Sequence, residues 1–458
     1  MDRHDLRRHA RDLTRQAAPV VVARSGVMLL ALVDTVMVGR FAAEELAVLG
    51  LALTLVTTLL LTGIGLLMGT LVLTAAAHGA GRDGACGVVW RRSLVYAVGL
   101  GAVMAGVALA GEPILVALGQ TPAMAAATRP VVAVLGLGVL PQLLFVTSQF
   151  FLEGIRRPLP GMLLMLAANV LNVALNAVLV YGMVGVPALG ALGSAWATTL
   201  VRVFLAVAVI AYITLVMADR RRFLARAAAD DRAAAPAGLQ RRVGYAAGVS
   251  IGVEGAAFGM LGIFAGWLGP LPLAAFTIGL NLIAFVFMIA VGFGAATAVQ
   301  VGAARGRGNA ADARLAGWTG VALASLVLGA IAIGIALAPA ALLALYTDDP
   351  ALRQVALPVV AFLALVVVAD GWQGVLAGAV RGLADTWVAS GLHAACFVVV
   401  MVPAAWLLAV RWERGPLGLF EAMLVGCLAA SAVLALRFAR LTRPGRGAPR
   451  LSSAPGDG

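Results

Sequence analysis

Twelve long apolar runs leave this chain few ways to fold. They lie near 17–38, 48–76, 93–111, 129–151, 160–182, 190–217, 243–268, 272–300, 316–338, 354–379, 387–410 and 417–438. Each is close to or beyond the ~20 residues that an α-helix needs to cross the hydrocarbon of a bilayer. No water reaches a backbone N–H or C=O in lipid, so a spanning segment must be a helix or belong to a closed barrel. The runs are continuous and lack two-residue alternation, which argues against a barrel. Composition agrees, with 62% hydrophobic and 12% charged residues, against about 25% charged in a soluble domain. The expected fold class is an all-α polytopic membrane protein with twelve transmembrane helices.

The first run follows a basic stretch, 1–16, as a signal peptide would. It is too long for a signal h-region of roughly 7–15 residues and reads as a retained span. The net charge of +12 would suggest nucleic acid in a soluble chain. Here it reads as topology, and no nucleic-acid partner is expected. There is no Lys; all 33 basic residues are Arg. They crowd into 1–16, into alternate loops, into 220–242 and into the stretch from Arg437 to Arg450. The opposite loops hold only Arg40, Arg129, Arg353, Arg411 and Arg414. The Arg-rich side is expected to be cytoplasmic. Both termini and the segment 218–242 then lie inside, in a cell (inner or plasma) membrane protein.

The chain also carries an echo of itself. Gln149–Arg157 and Gln373–Arg381 both read Q-x-x-L-x-G-x-x-R, 224 residues apart. Gly79–Arg82 and Gly302–Arg305 repeat at an offset of 223, each after the second span of its half. Six spans per half make parallel repeats, related by an axis along the membrane normal, with a substrate site expected between them near midplane. The expected organisation is a cytoplasmic segment 1–16, a six-helix lobe 17–217, a cytoplasmic linker 218–242, a second six-helix lobe 243–440 and a disordered tail 441–458. The Ala/Arg-rich linker reads as a plain tether.

Three carboxylates interrupt the apolar runs: Asp34 in the first, Glu254 in the seventh and Asp370 in the tenth. An ionisable group in the hydrocarbon is costly and marks an ion, proton or substrate site. On a helix Asp370, Gln373, Gly374, Ala377, Gly378 and Arg381 share one polar, small-residue face, the kind that meets other helices. Glu254 lies about 16 Å along its helix from the expected cytoplasmic start, near midplane. Arg24 sits near an end and can snorkel; Arg202 is placed to meet a carboxylate or the interface. Asn169, Asn172 and Asn176 share a face of the fifth span. They bond neighbouring helices or line a cavity, and Asn281 in the eighth span is a similar case.

Enzyme signatures are missing. A chain without Lys has no P-loop lysine. The histidines show no H-E-x-x-H pattern, and Cys86, Cys396 and Cys427 have no zinc spacing and read as small apolar fillers. No cofactor and no structural metal are expected.

Four stretches carry a family resemblance: Leu32–Arg40, LVDTVMVGR; Tyr181–Gly193, YGMVGVPALGALG; Val253–Gly269 with Glu254; and Asp370–Thr386, DGWQGVLAGAVRGLADT. Over roughly 17–440 the chain resembles the multidrug and toxic compound extrusion (MATE) transporters, in their NorM-like branch. The resemblance implies a two-lobed antiporter, not an enzyme. It would export cationic or amphiphilic organic compounds in exchange for inward Na+ or H+. It implies coupling through Asp34, Glu254 and Asp370, with transient sodium at the latter two. Asn172, Asn176, Asn281 and Gln373 are then cavity residues, and Asp349 matches an acidic residue before the tenth span, in an accessory or gating place. The tyrosine that the family carries shortly before the tenth-span aspartate is replaced here by Val366–Val368. The expected partners are small organic cations and the lipid bilayer, and a monomer with no obligate protein partner. Two other functions are compatible with parts of the pattern: a flippase for a lipid-linked oligosaccharide, and a membrane-embedded transferase.

Overall fold

The computed structural model describes residues 3–443 apart from 186, 226 and 227. Most of the tail expected at 441–458 therefore lies outside the described residues. Among the described residues there are helices and no strands. All twelve expected spans are present: α1 Arg3–Phe41, α2 Ala43–Gly79, α3 Asp83–Leu109, α4 Pro122–Gly154, α5 Leu159–Tyr181 and α6 Gly190–Val216 in the first half. The second half holds α7 Ala237–Trp267, α8 Pro270–Gly306, α9 Ala310–Leu337, α10 Pro350–Gly382, α11 Trp387–Arg411 and α12 Gly415–Leu441. Apolar side chains stand exposed on these helices, such as Val95, Val103, Leu326 and Val399. That is the surface a bilayer covers.

Local chemistry places the helix ends. Pro122, Pro270 and Pro350 open α4, α8 and α10, where a missing N–H costs nothing. Thr121, Asn309 and Asp349 accept from the first-turn N–H groups of α4, α9 and α10. Within α4, Pro141 removes an N–H donor three residues after the helix is interrupted at Gly138. Two side chains of α6 reach carbonyls beside that interruption: Thr199 to Val134 O at 2.9 Å and Arg202 to Leu135 O at 3.4 Å.

The chain forms two compact units, Val22–Gly248 and Met1–Val21 with Val249–Gly458. The boundaries fall inside α1 and α7. The start of α1 belongs with the later helices because Leu13 and Ala17 pack with Ala290, Phe293, Leu328 and Val375. His9 adds a 2.8 Å bond to Asp312 at the start of α9. A larger core cluster of that unit gathers Leu261, Phe276, Leu363, Phe397, Phe420 and Met423.

The stretch 218–248 belongs with the earlier helices, and it is docked there, which a plain tether would not be. Phe223 is buried and meets Phe151 edge-on at 5.8 Å. Burying that ring contributes about 2 kcal/mol. Arg92 of α3 donates to Gln240 Oε1 at 2.7 Å and to Ala235 O at 2.8 Å. Gly87 of α3 makes this approach possible, since a Cβ there would lie 1.7 Å from the Phe223 carbonyl oxygen. Arg157 grips Asp219 with two 2.6 Å bonds at the start of the segment.

The repeated motif has the same use in each half. Gln149 and Gln373 are both buried, near the ends of α4 and α10. The motif glycine meets the second span of its own half: Gly154 packs on Thr74 of α2, and Gly378 on the Gly294 backbone of α8. A Cβ at Gly378 would lie 2.2 Å from the Gly294 carbonyl oxygen, so only glycine allows the helices this close.

Candidate functional site

Each unit buries carboxylate that no ion pair among the described residues neutralises. In the first, Asp34 of α1 is 3% exposed. Its Oδ1 accepts from Asn172 Nδ2 at 3.1 Å and Asn176 Nδ2 at 2.8 Å, both on α5, and its Oδ2 accepts from Thr198 Oγ1 of α6 at 2.6 Å. Asp34 of α1, the neighbouring pair Asn172 and Asn176 of α5, and Thr198 of α6 thus converge on one point from three helices. A carboxylate only accepts, which turns both amide nitrogens toward it. The amide oxygens of Asn172 and Asn176 are left buried without a partner. Asn169 stands apart and bonds its own helix at Met165 O.

In the second unit, Gln373 of α10 holds two carboxylates with one amide. Its Nε2 donates to Asp370 Oδ1 at 3.0 Å and to Glu254 Oε1 of α7 at 3.3 Å. Cys427 of α12 directs its thiol at Asp370 Oδ1, at 3.7 Å, and so does more than fill space. Gln373 Oε1 lies 2.6 Å from His393 Nε2 of α11, and His393 Nδ1 lies 2.9 Å from Ser250 Oγ of α7. Asp370, Gln373, His393 and Ser250 are all buried. Arg381, two turns beyond Gln373, acts on Glu254 through its charge but makes no ion pair with it within 4 Å.

Two sequence candidates stand away from these clusters. Asn281 is exposed on α8 and bonds only its own helix, at Thr277 O. Asp349 caps α10 through Ala351 N, about 30 Å along that helix from Asp370.

Other residues enter that the sequence reading passed over. Thr198, Ser250 and His393 are uncharged or weakly polar residues within apolar runs, and only the fold shows what they meet. Glu153 is a further buried carboxylate beside Asp34 and Asp370, with Glu254 half-buried, because α4 runs on to Gly154 where the apolar run stops at 151. It pairs with Arg24 at 3.4 Å, and the Arg24 guanidinium also lies 5.4 Å from the centre of the Phe150 ring. Arg24 is thus held inside its unit. At the α2–α3 turn, His78, Asp83 and Cys86 bring ligand atoms within 4.8 Å of one another. Each is engaged already: His78 Nδ1 with Asp83 Oδ1 at 3.1 Å, and the Cys86 thiol with the carbonyls of Thr74 and Arg82. These bonds brace the turn.

Comparison with known proteins identifies the family. The MatE family model matches residues 19–178 and again 256–407, once in each half. A probable multidrug resistance protein NorM from Caulobacter vibrioides is 38% identical over 94% of this chain and 91% of that protein. The multidrug resistance protein PmpM from Pseudomonas aeruginosa is 29% identical over 96% and 93%. Among solved structures, the eukaryotic MATE transporter AtDTX14 is similar with a TM-score of 0.85, at 20% identity, over 96% of this chain and 99% of that one. An outward-facing multidrug resistance MATE family transporter matches with a TM-score of 0.81, at 20% identity, over 95% and 96%. With both halves matched by the family model and near-full-length NorM relatives, the chain belongs to the MatE family of membrane transporters, in its NorM-like branch.

Proposed function

We propose that the chain is a multidrug efflux antiporter that exchanges amphiphilic organic cations for inward Na+ or H+ by alternating access of its two lobes. The observation that carries this reading is that no cation among the described residues touches these carboxylates: Arg202 acts on Asp34, and Arg381 on Glu254, only through space. Among the described residues, Asp34, Glu254 and Asp370 are held by neutral donors, the side chains of Asn172, Asn176, Thr198, Gln373 and Cys427. A structural carboxylate this deep would be expected to have an Arg against it, as Glu153 has Arg24. Carboxylates without one leave their charge to a mobile partner, either a coupling cation or a cationic substrate.

The unpartnered amide oxygens of Asn172 and Asn176 suit the same purpose, since a hard cation prefers oxygen ligands. A cation or proton that takes up the carboxylate charge removes the attraction for the drug. Binding of the two is then mutually unfavourable, and the penalty is reciprocal. Positive-inside logic places both termini and the 218–242 segment in the cytoplasm. The protein works as a monomer on this reading. Proteoliposomes given a sodium gradient and a pH gradient separately test it: drug should move against its own gradient under one of them, and no response to either would reject the reading.

A further inference from the structure

We propose that His393 is a positioning residue that fixes the Gln373 amide in the orientation suited to ionised Glu254 and Asp370, and so opposes loading of that pair by the coupling ion. This rests on the antiport reading and adds a residue outside the family motif stretches.

Hydrogen-bond polarity sets the direction of the Gln373 amide. Gln373 Nε2 donates to both carboxylates, at 3.0 Å and 3.3 Å. Ionised carboxylates only accept, so the amide nitrogen must face them and the amide oxygen must face away. That oxygen lies 2.6 Å from His393 Nε2. An amide oxygen only accepts, so the hydrogen of a neutral imidazole sits on Nε2. Nδ1 is then an acceptor, and it takes the Ser250 hydroxyl hydrogen at 2.9 Å. Every hydrogen in the line points one way: Ser250 to His393, His393 to Gln373, Gln373 to the carboxylates. Phe397, one turn along α11, meets the imidazole edge-on at 5.0 Å and keeps the ring in place.

Loading reverses what the amide must do. A protonated carboxyl is a donor, and a sodium ion seeks oxygen; either is met best by the amide oxygen. To offer it, Gln373 must turn its nitrogen toward His393 Nε2, which already carries a hydrogen. Two donors would then face each other unless the imidazole hydrogen moved to Nδ1 and the Ser250 hydroxyl turned to accept it, so the whole line must reverse together or the 2.6 Å bond is lost. His393 thereby favours the empty, ionised pair that attracts a cationic drug. The other charged and titratable groups around the line are Arg381 of α10, which acts on both Glu254 and His393, and Cys427 of α12. Neither touches the His393–Gln373 bond.

Transport in proteoliposomes at varied concentration of the driving ion tests this. His393→Leu removes the donor and frees the amide to turn. The ion concentration for half-maximal transport should fall about 2- to 10-fold, the worth of one hydrogen bond. His393→Gln, which can return a donor to the Nε2 position, should move that value back toward wild type. Ser250→Ala releases Nδ1 and should shift it the same way as His393→Leu, by less. A lower maximal rate with an unchanged half-maximal concentration in both His393→Leu and Ser250→Ala would mean that His393 only packs, and would overturn the proposal. Wild-type protein that ignores the ion gradient would instead defeat the antiport reading, so the two failures are distinct.

Discussion

Thr198 Oγ1 donates to Asp34 Oδ2 at 2.6 Å and ties the sixth span of its unit to the first. It is the only donor seen on that oxygen among the described residues, while Asn172 and Asn176 both serve Oδ1. Thr198→Val keeps the shape and removes the hydroxyl. A hydrogen bond to a charged group is worth about 1.5–3 kcal/mol, so ion-driven efflux should fall by at least about tenfold, while Thr198→Ser stays near wild type. Equal efflux in the valine and serine variants would show that the bond is incidental.

The docked linker makes a separate prediction. Gly87→Val places a side chain against the Phe223 carbonyl, which cannot yield without moving the segment. The cost should be about 1–3 kcal/mol. Limited proteolysis in detergent should cut the variant faster within 218–236, and its thermal midpoint should drop. Gly99→Ala, where an added Cβ meets nothing within 4 Å, is the control. Unchanged cleavage of Gly87→Val would mean that the segment is held by other contacts.

The Arg157–Asp219 pair predicts a pH dependence. Hydrogen bonding to Arg157 holds the Asp219 carboxyl below its ordinary value of 3.8. A depressed carboxylate adds stability that is present above the unfolded value and is lost as pH falls through the folded one. With both side chains part-exposed the pair is worth under about 1 kcal/mol. Arg157→Ala should therefore lower the thermal midpoint slightly at pH 7, and the gap to wild type should close below pH about 3.8. A gap that is constant down to pH 3 would assign the effect to packing of the Arg157 stem.

Topology is checked by labelling. With Cys86, Cys396 and Cys427 replaced, Asp230→Cys should resist an impermeant thiol reagent in intact cells and react once the membrane is opened. Reaction in intact cells would put the linker outside.

The spans, the repeat and the three span carboxylates were legible in the sequence because each is a departure from apolar monotony that a window can register. Asn172 and Asn176 were legible for the same reason: helical spacing puts them on one face, and that face meets Asp34. Thr198, Ser250 and His393 were not, since a polar residue in a span does not by itself say which helix it meets. Glu153 was hidden by a boundary, because hydropathy ends a span where charge begins, while the helix carries on and packing buries the charge. The docking of 218–248 was hidden by composition: an Ala/Arg-rich stretch looks like a tether until Phe223 and Gln240 are seen to have receiving sites. The placement of Asp349 at a helix start was readable from Asp-Asp-Pro, as an N-cap before a proline.

The proposed exchange rests on the charges of Glu254 and Asp370. Glu254→Gln with Asp370→Asn keeps the shape of the pair and removes its charge, and Gln373 retains acceptors for its amide. Drug efflux from proteoliposomes under an imposed sodium or pH gradient should vanish in this double variant, while expression and thermal stability stay close to wild type. Each single substitution should do nearly the same, and Asp34→Asn should do so less completely. Wild-type efflux by the double variant under either gradient would show that these carboxylates are structural and that the coupling lies elsewhere.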